Sequence, residues 1–144
     1  MRTLYSVAGV VLLLDQLTKL MAVRFLKPLT SVSILPNVFH LSFVENTGIA
    51  FGLFQGHPEI LTSLITASVL GLLLCAYFFK DQTLPHRLAY GFILGGAIGN
   101  WVDRLRFERV IDFLDFRIWP VFNIADSFIT IGVILFIWFA LRGR

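Results

Sequence analysis

From residue 60 to residue 79 the chain reads ILTSLITASVLGLLLCAYFF, twenty residues without a charge. A bilayer core needs about 20 apolar residues per helix, and only helices or closed barrels satisfy every backbone group inside lipid. That run therefore points to a helical membrane protein. Residues 122–141, FNIADSFITIGVILFIWFAL, repeat the pattern with one acid, Asp126. Residues 88–103 form a shorter apolar stretch ending at Asp103, and residues 4–25 a longer one interrupted by Asp15, Gln16, Lys19 and Arg24. The chain is 57% hydrophobic and 15% charged, whereas soluble domains are about 45–50% and about 25%. The expectation is an all-α polytopic membrane protein, a single domain over 1–144 with four transmembrane helices at 4–25, 60–79, 88–103 and 122–141. No small-residue cleavage pattern follows the apolar run at 4–14, so the first segment is read as retained.

Residues 27–59 are too polar, and too broken by Pro28, Pro36 and Pro58, to span. In FHLSF, Phe39, Leu41 and Phe43 alternate with His40 and Ser42, the period of a half-buried strand. ENTG supplies a turn at Gly48, and IAFGLF resumes an extended apolar pattern. A small β-sheet between helices 1 and 2, resting on the membrane face, is expected. In the third span Gly91, Gly95 and Gly99 recur every four residues along one helical face, where small residues let backbones approach closely in lipid. Cys75 is the single cysteine and is expected to be buried as a packing residue.

The acids need individual reasons, because a charge at the centre of a membrane helix costs about 2.5–3.5 kcal/mol on insertion scales. Asp15 and Lys19 have the i,i+4 spacing of an ion pair. Asn100, Asp103 and Arg104 share a helical face at the end of the third span. Asn123 and Asp126 have the spacing of a capping box at the start of the fourth. A cap alone leaves the gathering of Asn100, Asp103, Arg104 and Asp112 at the same membrane side unexplained. The connection carrying Asp112 is long enough to fold back toward Asp126. Two such carboxylates can share a proton, one activating water and the other protonating a leaving group. No H-E-x-x-H helix and no G-x-S-x-G elbow is present, and the glycines of GFILGGAIGN lie in a span, not after a soluble strand. No metal and no cofactor are expected. The net charge of +3 carries no basic tract of the kind that binds nucleic acid. Basic residues divide five to six between the two sides, so charge alone leaves orientation open.

DQLTK (15–19), ENTGIAFG (45–52), GGAIGNWVDR (95–104), VIDFLDF (110–116) and FNIADS (122–127) together resemble the ordered motifs of bacterial lipoprotein signal peptidase, signal peptidase II. The resemblance spans nearly the whole chain. It implies an intramembrane aspartyl endopeptidase that removes signal peptides from diacylglyceryl-modified prolipoproteins, cutting before the lipidated cysteine. It implies Asp112 and Asp126 as the catalytic pair, Asn46, Asn100, Arg104 and Asn123 at the substrate, and Asp15, Lys19 and Asp103 as structural support. It also implies a multi-pass protein of the bacterial inner membrane with cytoplasmic termini and an extracytoplasmic site and sheet. Its partners would be diacylated prolipoproteins and membrane lipid, and the chain is expected to be a monomer. The rival reading is a proton-coupled carrier or channel using intramembrane carboxylates. Four helices without an internal repeat suit alternating access poorly.

Overall fold

A computed structural model describes residues 1–48, 58–78 and 83–142. The IAFGLF segment and most of the loop between the second and third helices lie outside these residues. Four helices are present: α1 (Arg2–Met21), α2 (Pro58–Phe78), α3 (Leu84–Phe107) and α4 (Ile124–Arg142). A π-helical turn, Ala22–Leu26, extends α1. Arg2–Leu26, Glu59–Phe78 and Ile124–Arg142 are long and apolar enough to cross a membrane, with mean hydropathies of 1.6, 2.1 and 2.2. α3 has 24 residues but carries polar groups at both ends and lies between the other helices. It is longer than the expected 88–103. Pro85 is accommodated in the first turn, where no N–H is needed. Glu108 closes the other end in a left-handed conformation, φ 57°, its N–H donating to the Arg104 carbonyl.

The small sheet expected between helices 1 and 2 is present and takes a third strand from further along the chain. β1 (Ser31–Leu35) and β2 (Phe39–Asn46) do lie there, but β3 (Val110–Asp115) comes from the α3–α4 connection. The order is β1-β2-β3, antiparallel throughout. β3 is hard to read as a strand from sequence because both its faces are covered, and a strand buried on both faces shows no polar alternation. Ile111 and Phe113 pack with Ala22 and Leu26 at the end of α1, while Val110 and Asp112 line a cavity. The β2 register steps from Leu41 opposite Leu114 to Val44 opposite Asp112, a bulge beside that acid. In ENTG, Glu45 and Asn46 still belong to β2, and the chain turns at Gly48, whose N–H donates to Asn46 Oδ1 at 3.0 Å.

α3 is the helix on which the others assemble. Gly91 and Gly95 face α1: a Cβ on Gly95 would sit 2.6 Å from the Ala8 carbonyl oxygen. On the other side, a Cβ on Gly96 would stand 2.5 Å from the Ala125 carbonyl of α4. α2 is tied on by side chains, Tyr90 Oη donating to the Leu72 carbonyl (2.7 Å) and Trp101 Nε1 to Thr66 Oγ1 (2.8 Å). Leu4, Ala8, Ala76, Tyr90 and Leu94 fill the centre of the bundle. Leu13, Leu20, Leu74, Ile134 and Ile137 point outward, as suits a lipid surroundings. Cys75 is exposed as well, against the expectation of burial. A uniformly apolar run carries no polar face to tell inside from outside.

Gly95→Leu is expected to lose most folded yield, and even Gly95→Ala should cost about 1–3 kcal/mol from overpacking. Gly71 has nothing within 4 Å of its would-be Cβ, so Gly71→Ala is the matched control and should melt no lower than wild type. Thermal melts in detergent check the pair.

Candidate active site

The start of α4 sets the geometry. Asn123 caps the helix: its Oδ1 accepts from the Asp126 N–H at 2.9 Å, and Asp126 Oδ2 accepts from the Asn123 N–H at 3.3 Å. This is the reciprocal capping box expected from spacing. The same two residues also reach outward. Asn123 Nδ2 donates to Asp112 Oδ1 (2.7 Å) and to Asn100 Oδ1 (3.1 Å). Asn100 Nδ2 donates to Asp126 Oδ1 (2.7 Å), and Asn46 Nδ2 to Asp112 Oδ2 (2.8 Å). Every carboxylate oxygen of Asp112 and Asp126 thus accepts from a neutral amide. The two acids belong to one network with Asn123 at its centre.

Both acids line a cavity of about 610 Å³. Asn46, Asn100 and Arg104 share that lining. Arg104 Nη2 donates to the Gly48 carbonyl at 2.7 Å, whereas buried Nη1 has no hydrogen-bond partner among the described residues. Apolar walls come from Ile65 and Val69 of α2, Ala97 of α3 and Ile129 of α4, with Trp119 at the β3–α4 connection. Sequence reasoning missed these walls, because an apolar residue in an apolar helix looks the same whether it faces lipid or a cavity.

Asp15, Lys19 and Asp103 stand behind the cavity. Lys19 Nζ lies 2.8 Å from Asp15 Oδ2, the expected i,i+4 pair, and also 2.8 Å from Asp103 Oδ2. Gln16 Nε2 donates to Asp103 Oδ1 at 2.9 Å. The other Asp15 oxygen accepts from the Ala125 N–H of α4 at 3.0 Å. The three acids that spacing alone could confuse are therefore separated: Asp112 and Asp126 face the cavity, and Asp103 faces Lys19. Asp115, three residues after Asp112, lies on the other face of β3. Burial raises its carboxyl, but the Arg117 N–H, the Ser42 hydroxyl and the Arg117 guanidinium outweigh that and hold it below the usual range.

Burial pushes Asp112 in the opposite direction, up to about 6; the charge of Asp126 adds to the rise, and the Asn46 and Asn123 amides limit it. Between the ordinary value near 3.8 and about 6 the folded chain holds a proton that the unfolded chain has released. Stability therefore falls as pH rises through that window.

A bundle of membrane helices with two acids facing one cavity is the arrangement a membrane-embedded aspartic enzyme requires, and one that a proton-relaying carrier shares. The comparisons narrow this class. The family model described as signal peptidase (SPase) II, Peptidase_A8, matches residues 7–142. The lipoprotein signal peptidase of Halothermothrix orenii is 45% identical over 137 residues, covering 93% of this chain and 94% of that one. That of Microcystis aeruginosa is 46% identical over 136 residues, covering 92% and 88%. A bacterial membrane enzyme solved by the in meso method at 2.3 Å superposes with a TM-score of 0.86 at 32% identity, over 99% of this chain and 89% of the other. The chain belongs to the signal peptidase II family.

Asp112→Asn, which mimics the protonated carboxyl, should melt above wild type at pH 8, with the advantage shrinking toward pH 4. Melting curves of both proteins across that range read the difference directly.

Proposed function

We propose that this chain removes signal peptides from prolipoproteins by aspartic hydrolysis, with Asp112 and Asp126 as the catalytic dyad. The observation that carries the assignment is the shared cavity in which both carboxylates are held through Asn123. Two neighbouring carboxylates resist double ionisation, so one stays protonated while the other is charged. The charged member takes a proton from water as it attacks the scissile carbonyl. The protonated member donates to the carbonyl oxygen and then, as the tetrahedral intermediate collapses, a proton passes to the leaving amine. Arg104, which lines the cavity, is a cation placed to meet a substrate carbonyl. Asn46, Asn100 and Asn123 already spend an amide on the carboxylates, so they orient the dyad; Asn46 and Asn100 also border the cavity, whereas Asn123, expected at the substrate, is fully buried and outside its lining.

The depth of the site supports a lipid-bearing substrate. Asp126 lies in the first turn of α4, so its carboxyl sits just inside the membrane surface. A cysteine carrying a diacylglyceryl group is anchored at that depth, and its preceding peptide bond falls within reach. α1 and α3 end, and α4 begins, at the sheet, so both termini lie at the other end of the bundle; we read the sheet end as extracytoplasmic and the termini as cytoplasmic, as the resemblance to the family implies. We read the chain as a monomer and as a single domain over 1–144.

Asp112→Asn and Asp126→Asn should each lower the cleavage rate by on the order of 10³-fold or more, and the double variant should be no worse than either, because residues acting as a unit are non-additive. Asp103→Asn should instead lose about 1–3 kcal/mol of stability with measurable cleavage by the folded fraction. A prolipoprotein cleavage assay beside thermal melts tests the set. A folded but inactive Asp103→Asn together with an active Asp112→Asn would assign the dyad to the wrong acid.

Among the described residues no group of three or more His, Cys, Asp or Glu is placed to hold a metal. Cleavage is expected to proceed at an unchanged rate in EDTA and in Cys75→Ser. Loss of activity on chelation, restored by zinc, would count against an aspartic mechanism.

A further inference from the structure

Lys19 does more than its two ion pairs require. Its side chain is 5% exposed, and its ammonium is ion-paired with Asp15 Oδ2 and Asp103 Oδ2, each at 2.8 Å, and donates a hydrogen bond to Asn100 Oδ1 at 2.9 Å. The third contact leads toward the dyad. Asn100 Oδ1 has two lone pairs, and both are used, one by Lys19 Nζ and one by Asn123 Nδ2 at 3.1 Å. The amide nitrogen is thereby turned to Asp126 Oδ1 at 2.7 Å. Rotating this amide by half a turn would set its NH₂ against an ammonium and a second NH₂. It would also set its carbonyl oxygen against a carboxylate.

We propose that Lys19 is a positioning residue for the peptidase reaction: its bond to Asn100 Oδ1 locks the Asn100 amide so that Nδ2 donates to Asp126. This rests on the dyad reading given above. Lys19 touches no reacting atom and acts only through Asn100. Charge balance between α1 and α3 does not need this contact, since Asp15 and Asp103 already flank the ammonium. In an Asp103→Asn background Asp15 and Lys19 form a neutral pair, and replacing them by Asn and Met keeps the group neutral while deleting the donor to Asn100. The two roles separate in this variant.

The experiment compares Lys19→Met/Asp15→Asn/Asp103→Asn with Asp103→Asn alone, measuring kcat, KM and Tm on a diacylated prolipoprotein peptide in detergent. Positioning predicts a kcat at least fivefold below that of Asp103→Asn, with KM and Tm close to it. A second arm repeats the pair in an Asn100→Ala background, where the lysine has no amide to orient. There the same change should leave kcat within twofold. Three results would overturn the proposal: a kcat less than fivefold lower in the first arm, an equal loss in the Asn100→Ala background, or failure of Lys19→Met/Asp15→Asn/Asp103→Asn to fold where Asp103→Asn folds. Asp126→Asn runs beside them. If that variant cleaves near the wild-type rate, the dyad reading itself has failed, and this is distinguishable from a failure confined to Lys19.

Discussion

Backbone must meet backbone along α3 for anything else in this molecule to be in place. Lipid tails are as apolar as leucine, so burying apolar surface gives helices in a bilayer little reason to associate. Close approach and polar contacts must do that work. Gly91, Gly95 and Gly99 open one side of α3 to α1, and Gly96 opens another to α4. The last of the row has a second consequence. A Cβ on Gly99 would stand 2.5 Å from Asp15 Oδ2, so the absence of a side chain there gives Asp15 its room. Asp15 in turn holds the Ala125 N–H and the Lys19 ammonium. The site is thus built outward from a stripe of missing side chains.

The charged groups inside the bundle follow two separate rules. Behind the cavity, acids are met by a cation: Asp15 and Asp103 share Lys19. At the cavity, acids are met by neutral amides from Asn46, Asn100 and Asn123. A cation beside a carboxylate balances its charge, whereas an amide that donates to it holds its geometry without supplying a counter-charge. The division matches a structural role for the first set and a chemical one for the second. Arg104, which lines the same cavity, gives one nitrogen to the Gly48 carbonyl.

Much of this was legible in the sequence where a residue type has few alternative uses. The uncharged run at 60–79 admits little but a span, and α2 occupies it as far as Phe78. The four-residue glycine spacing announced the α1–α3 contact, and Asn123 and Asp126 form the capping box their spacing suggested. The position of Asp112 on a strand was not legible, because VIDFLD is covered on both faces and lacks alternation. Nor was the exposure of Cys75, since an all-apolar helix gives no sign of which side faces lipid. The link from Lys19 to Asn100 joins residues 81 positions apart, and no local pattern in a single sequence carries such a pairing.

The capping of α4 has an effect on how the molecule comes apart. Helix ends ordinarily fray before helices melt, but here Asn123 and Ala125 are fully buried and the turn is tied to α1, α3 and β3. Were that turn to open, Asn123 would release Asp112 and Asp126 at once, since one side chain and its backbone hold both. Opening it breaks contacts to three other elements, so the order of the site and the integrity of the bundle are tied to the same few bonds.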